Sequence, residues 1–437
     1  MKILLAGVMY SPNLGDGLIA ECFTQVLTST DQLVEVTWLD LAGRTGFARP
    51  KSSGRTRVLS MLAKLPRWAS DPIAGQLVRR QIRTHLSWNI PSDLQDYDLV
   101  IIGGGQLLSD VNLNFPLKLR YLVGLIGQAG VGFAIHGVGV SQSWSRLGAK
   151  TFAPVLASPN LCFVSVRDAA SRQALQDHYE QLGIFCPLDI QTYPDPVMCA
   201  HALRLPEMAV SAVLGRRIGI GVVHPAALAT HGDAKQPPTI AGLTQTYRDL
   251  ADHLVERGAQ VYLFTNGAGE DEEMLDRLFR AVPNQSGWHR VLRRSTPREL
   301  AAFLGSLDAV ASHRLHACIT ANALGVKAIG FEWDRKINAY FELTDQRENL
   351  FTSPGDKGVI EAMLSTLDRQ TQEKIENCAP EVRAGVRALL DHITATRHEP
   401  AHARAQSPQE ATNGSAALAR PELAEKRSNS ARSETHA

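Results

Sequence analysis

The sequence predicts an α/β protein made of two similar halves. Three observations lead there. Short, unbroken apolar runs recur along the chain, as strands do when helices cover both faces of a parallel sheet. Stretches with helical spacing separate them. The second half also echoes the first: Ile218 opens an apolar run 215 residues after Ile3, and Asp308 leads another 210 residues after Asp98. Two Rossmann-like domains facing across a cleft would produce this echo.

In the first half, strands are read at Ile3–Val8, Leu33–Trp38, Leu99–Ile102, Val131–Ile135 and Leu161–Val166. Gly15–Leu27 and Asp168–His178 have helical spacing. Tyr121–Ser145 carries no charge, but its six glycines interrupt the apolar runs. It reads as a helix end, a turn at Gly127–Gly130 and a buried strand, not as a membrane span. In the second half, strands are read at Ile218–Val223, Gln260–Phe264, Ala309–Ala311 and Lys327–Phe331, and helices at Leu243–Arg257, Glu270–Arg280 and Arg298–Leu304. The domains are expected at 1–205 and 206–375, with a linker around Ala200–Arg216. A last helix follows at 376–398. Residues 399–437, rich in Ala, Ser, Pro, Asn and Glu, read as a disordered tail. Lys51–Ile90 stands apart as an insertion with eight Lys or Arg and one acid, Asp71. It reads either as a membrane-surface or acidic-substrate contact or as a solvated helix with an apolar packing face, and the second is preferred.

Composition narrows the function. The 437 residues carry 45 Lys or Arg and 44 Asp or Glu, a net charge of +1, which argues against a nucleic-acid partner. The six cysteines form no CxxC pair, so no zinc knuckle is expected, and they suit a reducing, cytoplasmic compartment. The first residues lack the pattern of a secretory signal. The chain has no P-loop, no GxSxG elbow, no HExxH and no visible metal cluster.

Ligands of open α/β sheets bind beyond the carboxyl ends of the strands. There the chain gathers cations. Arg314 and His316 stand in Ser312-His313-Arg314-Leu315-His316-Ala317, where a strand gives way to a helix. Basic residues at a helix start oppose the dipole and suggest an anionic ligand. His316 could move protons near neutral pH. The alternative is an ordinary helix cap. Arg167, His224 and Lys336 also follow strands, as does His136, and a core histidine is the bland account of either His136 or His224. Gly103, Gly104 and Gly105 would let a ligand approach the backbone, or form a tight turn. Asn13 and Asp16 can cap the first helix or bind sugar-like hydroxyls.

Taken together, Asn13-Leu14-Gly15-Asp16, DLVIIGGG at 98–105, Val166–Ser171 (VRDAAS), the Ser312–Ala317 loop and Gly325–Gly330 resemble the polysaccharide pyruvyl transferases, in the right order across most of residues 1–345. The resemblance implies a two-domain fold of the GT-B type. It implies transfer of pyruvate from phosphoenolpyruvate to a sugar of a cell-surface polysaccharide or its lipid-linked precursor, giving a cyclic ketal and phosphate. On this reading His316 transfers protons and Arg314 acts beside it. Arg167 and Arg314 hold the phosphate and carboxylate, with Lys336 and His224 in the same pocket. Asn13, Asp16, Gly103, Gly104, Gly105 and His136 complete the substrate site, and no cofactor or metal is needed. The insertion 51–90 is the candidate for a peripheral contact with the inner face of the cytoplasmic membrane. Two other classes stay open: a glycosyltransferase of the same fold using a nucleotide-sugar, and a non-catalytic protein of polysaccharide binding or assembly.

Overall fold

Apolar runs covered on both faces become two six-stranded parallel sheets. In the first half the order of elements is β1 (Lys2–Gly7), α1 (Leu14–Thr30), β2 (Glu35–Asp40), α2 (Arg67–Gln81), β3 (Leu99–Gly103), α3 (Asn114–Ala129), β4 (Phe133–Val138), α4 (Arg146–Leu156), β5 (Leu161–Val166), α5 (Ala169–Leu182) and β6 (Gln191–Thr192). The second half runs β7 (Arg217–Gly221), α6 (Pro225–His231), α7 (Ile240–Glu256), β8 (Gln260–Phe264), α8 (Gly269–Ala281), β9 (Trp288–Arg290), α9 (Pro297–Gly305), β10 (Ala309–Ser312), α10 (Leu315–Ala323), β11 (Lys327–Phe331), α11 (Arg335–Leu343), β12 (Leu350–Phe351), α12 (Val359–Leu364) and α13 (Arg369–His398). The computed structural model describes residues 1–47, 67–186, 188–208, 215–231, 238–281, 286–356 and 358–398. The tail expected at 399–437 and the insertion's first part lie outside the described residues.

The sheet orders are β2-β1-β3-β4-β5-β6 and β12-β11-β10-β7-β8-β9. Each sheet reverses direction beside its first strand, at β1/β3 and at β7/β10. Crevices for ligands open at such switch points. Both sheets lie within one compact unit, Met1–Ile393. Across the seam the Leu14 N–H donates to the Asn266 carbonyl at 2.7 Å. Arg298 donates to Glu21 at 2.7 and 2.8 Å. The helix α13 buries Val382, Val386 and Leu389, and its Gly385 lies so close to the Tyr193 ring that a Cβ would stand 2.5 Å away.

The strands fall close to their expected positions. β2 starts two residues later than read, because Leu33 is exposed while Asp40 is buried and accepts the Tyr10 and Ala42 N–H groups. Strands β6, β9 and β12 span two or three residues, too few to form a pattern. The 121–145 stretch is the end of α3, a left-handed turn at Gly130 (φ 69°) and β4.

The insertion ends in α2, a π-helical turn Ile82–Leu86 and a last turn Ser87–Asn89. Ala74, Val78, Ile82 and Leu86 are buried in the first half, as a packing face requires. Ile73, next to Ala74, points away from that face and is exposed. Gln81 donates to the Ala42 carbonyl at 3.1 Å and Asn89 to the Gly43 carbonyl at 2.9 Å, which pins the segment to the loop after β2. No helix among the described residues is long and apolar enough to cross a membrane.

Candidate active site

A cavity of about 780 Å³ opens where the two switch points face each other. Asn13, Asp16 and Gly105 line it from the loops after β1 and β3, and Arg167 from the end of β5. Asn266 and Glu270 follow β8. Arg314, Leu315 and His316 follow β10, and Trp333 and Lys336 follow β11. The sequence places these residues far apart, and the α/β topology collects them because every parallel strand ends on the same edge.

Each cation is held by a carboxylate. Arg314 is the N-cap residue of α10, yet its side chain caps nothing. It turns to Asp271, donating from Nε at 2.9 Å and from Nη2 at 2.6 Å. Asp271 is fully buried and also accepts the His224 N–H at 2.9 Å. Burial pushes the Asp271 carboxyl up to about 6, against the pull of Arg314 and of that N–H. Burial alone would lower the Arg314 guanidinium, but Asp271 outweighs it and raises it. The titrating end of this pair is therefore the acid, and Arg314 stays a cation. Arg167 donates to Asp168 at 3.2 Å, while Asp168 caps α5 through the Ser171 N–H at 2.7 Å. Gly139 leaves room for the Arg167 guanidinium, since a Cβ there would stand 2.7 Å away. Lys336 lies 2.8 Å from Asp334 and over the Trp333 ring. Burial lowers the Lys336 ammonium, Asp334 opposes that, and the charges of Arg167 and Arg314 lower it further. One half-buried ammonium thus feels both guanidiniums.

His316 begins α10 and points to Asp195, with Nε2 3.3 Å from Oδ2. Asp195 is buried and caps the 3-10 turn Pro196–Ala202 through the Val197 N–H at 3.0 Å. Burial acts to raise the Asp195 carboxyl, but the hydrogen bond and charge of His316 outweigh it and hold the acid below its ordinary value. Gly15 at the start of α1 admits this histidine from the other half: a Cβ there would meet the His316 Cβ at 2.8 Å. Three buried polar side-chain atoms on the cavity residues find no partner among the described residues: Asn114 Oδ1, Asn266 Oδ1 and Trp333 Nε1. Each is shut off from the cavity as the side chain stands, so a ligand would reach it only after the side chain turns.

Three expectations are corrected. His136 does not reach the cavity. It is 3% exposed, stacks on Phe23 and bonds Ser165 Oγ at 2.9 Å, and burial pushes it down to about 4. His224 uses Nδ1 to accept the Ala226 N–H at the start of α6 and is not among the lining residues. Of the three glycines only Gly105 faces the cavity. Gly103 closes β3 against the His136 carbonyl and Leu5, and Gly104 (φ 75°) packs on Ile19. Asn13 lines the cavity, and its side chain also caps α1 and reaches Asp16 at 3.4 Å.

Sequence reading missed Asp195, Asp271, Asn266 and Trp333; for the insertion it preferred a packing helix to a substrate contact, and α2 both packs and lines the cavity. The sequence alone held weak signals for two of them. Asp195 sits in Tyr-Pro-Asp-Pro, and Asp271 in an acidic helix start. Among the described residues no group of three His, Cys, Asp or Glu could hold a metal ion.

The family model for polysaccharide pyruvyl transferases matches residues 13–335. The sequence matches no curated protein at a significant level. Among solved structures, the chain is similar to a protein described as a UDP-N-acetylglucosamine 2-epimerase from Listeria monocytogenes. The TM-score is 0.52 at 11% identity, over 92% of this chain and 97% of that one. It is also similar to MnaA from S. aureus, solved with UDP, with a TM-score of 0.50 at 9% identity over 91% and 96% of the two chains. At such identities the likeness speaks to the fold, two Rossmann-like halves of the GT-B type.

Proposed function

Because the chain belongs to the polysaccharide pyruvyl transferase family, we propose that its cavity binds phosphoenolpyruvate and moves the pyruvyl group onto two hydroxyls of one sugar. The observation that carries this reading is the meeting of Arg167, Arg314 and Lys336 with His316 on one cavity. Phosphoenolpyruvate brings a phosphate and a carboxylate, about three negative charges, and three fixed cations match that demand. The N–H groups at the start of α10, left without a side-chain cap, add donors for the same anion.

The chemistry follows from the charges. A proton adds to the methylene carbon, C3, and C2 becomes electron-poor. One sugar hydroxyl adds to C2 and gives up its proton. A second hydroxyl displaces phosphate at C2 and gives up its proton in turn. Of the two protons released, one replaces that spent on C3 and the other leaves with phosphate, so the ledger of atoms and charge closes. His316 is placed to supply and take these protons, a contribution of roughly 10²–10⁴-fold. Asp195 acts through it by fixing the orientation of the ring. The arginines stabilise the phosphate as it leaves. The scheme calls for no metal or cofactor, and a saccharide made inside the cell is its natural acceptor.

Calorimetric titration with phosphoenolpyruvate, beside uridine and guanosine diphosphate sugars, tests the reading. Saturable binding of phosphoenolpyruvate that Arg314→Ala abolishes and His316→Ala retains supports it. His316→Ala should then release no phosphate with acceptor present. Binding of a nucleotide-sugar in place of phosphoenolpyruvate would make the protein a glycosyltransferase and Arg314 a diphosphate clamp.

A further inference from the structure

The cavity has a second wall that the donor does not need. It is built by α2 and its π-helical turn, with Ala74, Leu77, Val78, Arg80, Thr84 and His85, and by the turn leading into α3, with Asn112, Asn114 and Phe115. A three-carbon phosphate beside Arg314, Arg167 and Lys336 leaves most of about 780 Å³ open toward this wall.

Its chemistry differs from the donor end. Amides, a hydroxyl and an aromatic ring are groups that hold saccharides. Asn114 lines the wall and keeps a buried amide oxygen without a partner among the described residues, which a turn of the side chain would present to a hydroxyl. Asn112 and Leu113 both take left-handed backbone angles, φ 55° each, although neither is glycine. Such outliers gather at ligand clamps, where the surroundings force them. The π-helical turn is likewise a form frequently found at functional sites.

The charge of the wall is one-sided. From the start of α2 to residue 92 the segment holds Arg67, Arg79, Arg80, Arg83 and His85 against one acid, Asp71. Arg314, Arg167 and Lys336 each face a carboxylate at the donor end. Arg80 lines the cavity and forms no ion pair among the described residues. Arg80 is exposed at the cavity edge, and a guanidinium there without a counter-charge attracts an anion.

We propose that the α2 wall is the acceptor subsite and that Arg80 selects a saccharide carrying a negative charge, a sugar carboxylate or a phosphate ester. The assignment rests on the pyruvyl-transfer reading, which supplies the need for an acceptor. Gln81 and Asn89 anchor the wall to the loop after β2, so Arg80 stands on a fixed frame.

The test uses the full chain, with and without saturating phosphoenolpyruvate, and three probes: methyl β-glucuronide, glucose 1-phosphate and neutral methyl β-glucoside. Dissociation constants come from saturation-transfer NMR titrations. At least one anionic probe should bind about tenfold tighter than the glucoside, and which one does separates carboxylate from phosphate recognition. Arg80→Gln should erase that preference, Arg80→Lys should keep part of it, and neither should change the dissociation constant for phosphoenolpyruvate. Equal binding of charged and neutral probes, no binding of either anionic probe, or an unchanged preference in Arg80→Gln overturns the proposal. An equal loss of phosphoenolpyruvate affinity in Arg80→Gln would overturn it too, by moving Arg80 to the donor site. Failure of phosphoenolpyruvate to bind wild type is a separate result and strikes the donor reading, because the saccharide titrations are also read without it.

Discussion

Replacing Asp271 with Asn tests the charge arrangement around Arg314. The Asp271 carboxylate is fully buried, with one oxygen on the His224 N–H and the other on Nε and Nη2 of Arg314. Burial lifts it from the ordinary 3.8 to about 6. At about 1.36 kcal/mol per pKa unit this difference is roughly 3 kcal/mol. The folded protein holds this proton more tightly than the unfolded chain does. Its stabilising contribution is therefore full below pH 3.8 and lost as pH rises through 6. Above pH 6 the site carries a costly anion that directs Arg314. The amide of Asp271→Asn would resemble the protonated acid: its oxygen can keep the two Arg314 donors, but its NH₂ then faces the His224 N–H that the carboxylate accepted, at a cost of about 1–3 kcal/mol. Near neutral pH the relief and this cost nearly offset, whereas at pH 4 the variant should be the less stable. Removing one like charge beside a trianionic ligand is worth about 1.4 kcal/mol or more at the effective dielectric of a partly open site, a tenfold gain in affinity. Calorimetric titration with phosphoenolpyruvate at pH 7.5 should thus show Asp271→Asn binding about tenfold tighter than wild type. At pH 5 the two should agree within about twofold, and comparing them at each pH cancels the ligand's own protonation. Equal or weaker binding at pH 7.5, or a ratio that does not change with pH, would refute the reasoning.

Asp195→Asn should leave the dissociation constant for phosphoenolpyruvate within about twofold of wild type while phosphate release with acceptor falls by roughly 10²–10⁴-fold, because the positioning of His316 is lost and not the anion grip. Gly104→Ala should lower stability by about 1–3 kcal/mol in urea unfolding, since φ is 75° and the new methyl would stand 2.5 Å from Ile19. His136→Phe should flatten the acid side of the stability profile. Burial holds this imidazole near 4 in place of 6.5, so its contribution is present above pH 6.5 and lost as pH falls through 4. Phosphoenolpyruvate affinity in the same variant should not change, and a marked loss would return His136 to the substrate site.

What was legible in the sequence was position along strands. Arg314 and His316 stand where an apolar run gives way to a helix, and cations at a helix start are unusual enough to notice. The same rule named His136 and His224, and there it failed. A strand end fixes where a residue begins, not where its side chain points. Phe23 from α1 draws the His136 ring into the core, and the start of α6 takes Nδ1 of His224. The carboxylates were hidden for a different reason. Asp334 caps α11 through the N–H groups of Lys336 and Ile337, Asp195 caps a 3-10 turn, and Asp271 sits in the first turn of α8. Acids at helix starts are commonplace, so nothing local marks them. Only the fold brings Asp271 to Arg314 across 43 residues and Asp195 to His316 across 121.

These pairs also explain how so cationic a floor folds at all. Three unpaired cations converging on one partly enclosed cavity would repel one another and lose hydration. A carboxylate beside each lowers that cost in the free protein, yet leaves part of every fork open: Asp271 occupies Nε and one Nη2 proton of Arg314, and Nη1 has no part in the pair. An incoming trianion therefore need not break the pairs; it adds to them, and the carboxylates set the direction in which the remaining N–H groups point. If that is how the site works, charge at Asp271 weakens phosphoenolpyruvate binding while the side chain's shape makes it possible. Asp271→Ala, which removes both, should then bind more weakly than Asp271→Asn even though the two variants carry the same charge.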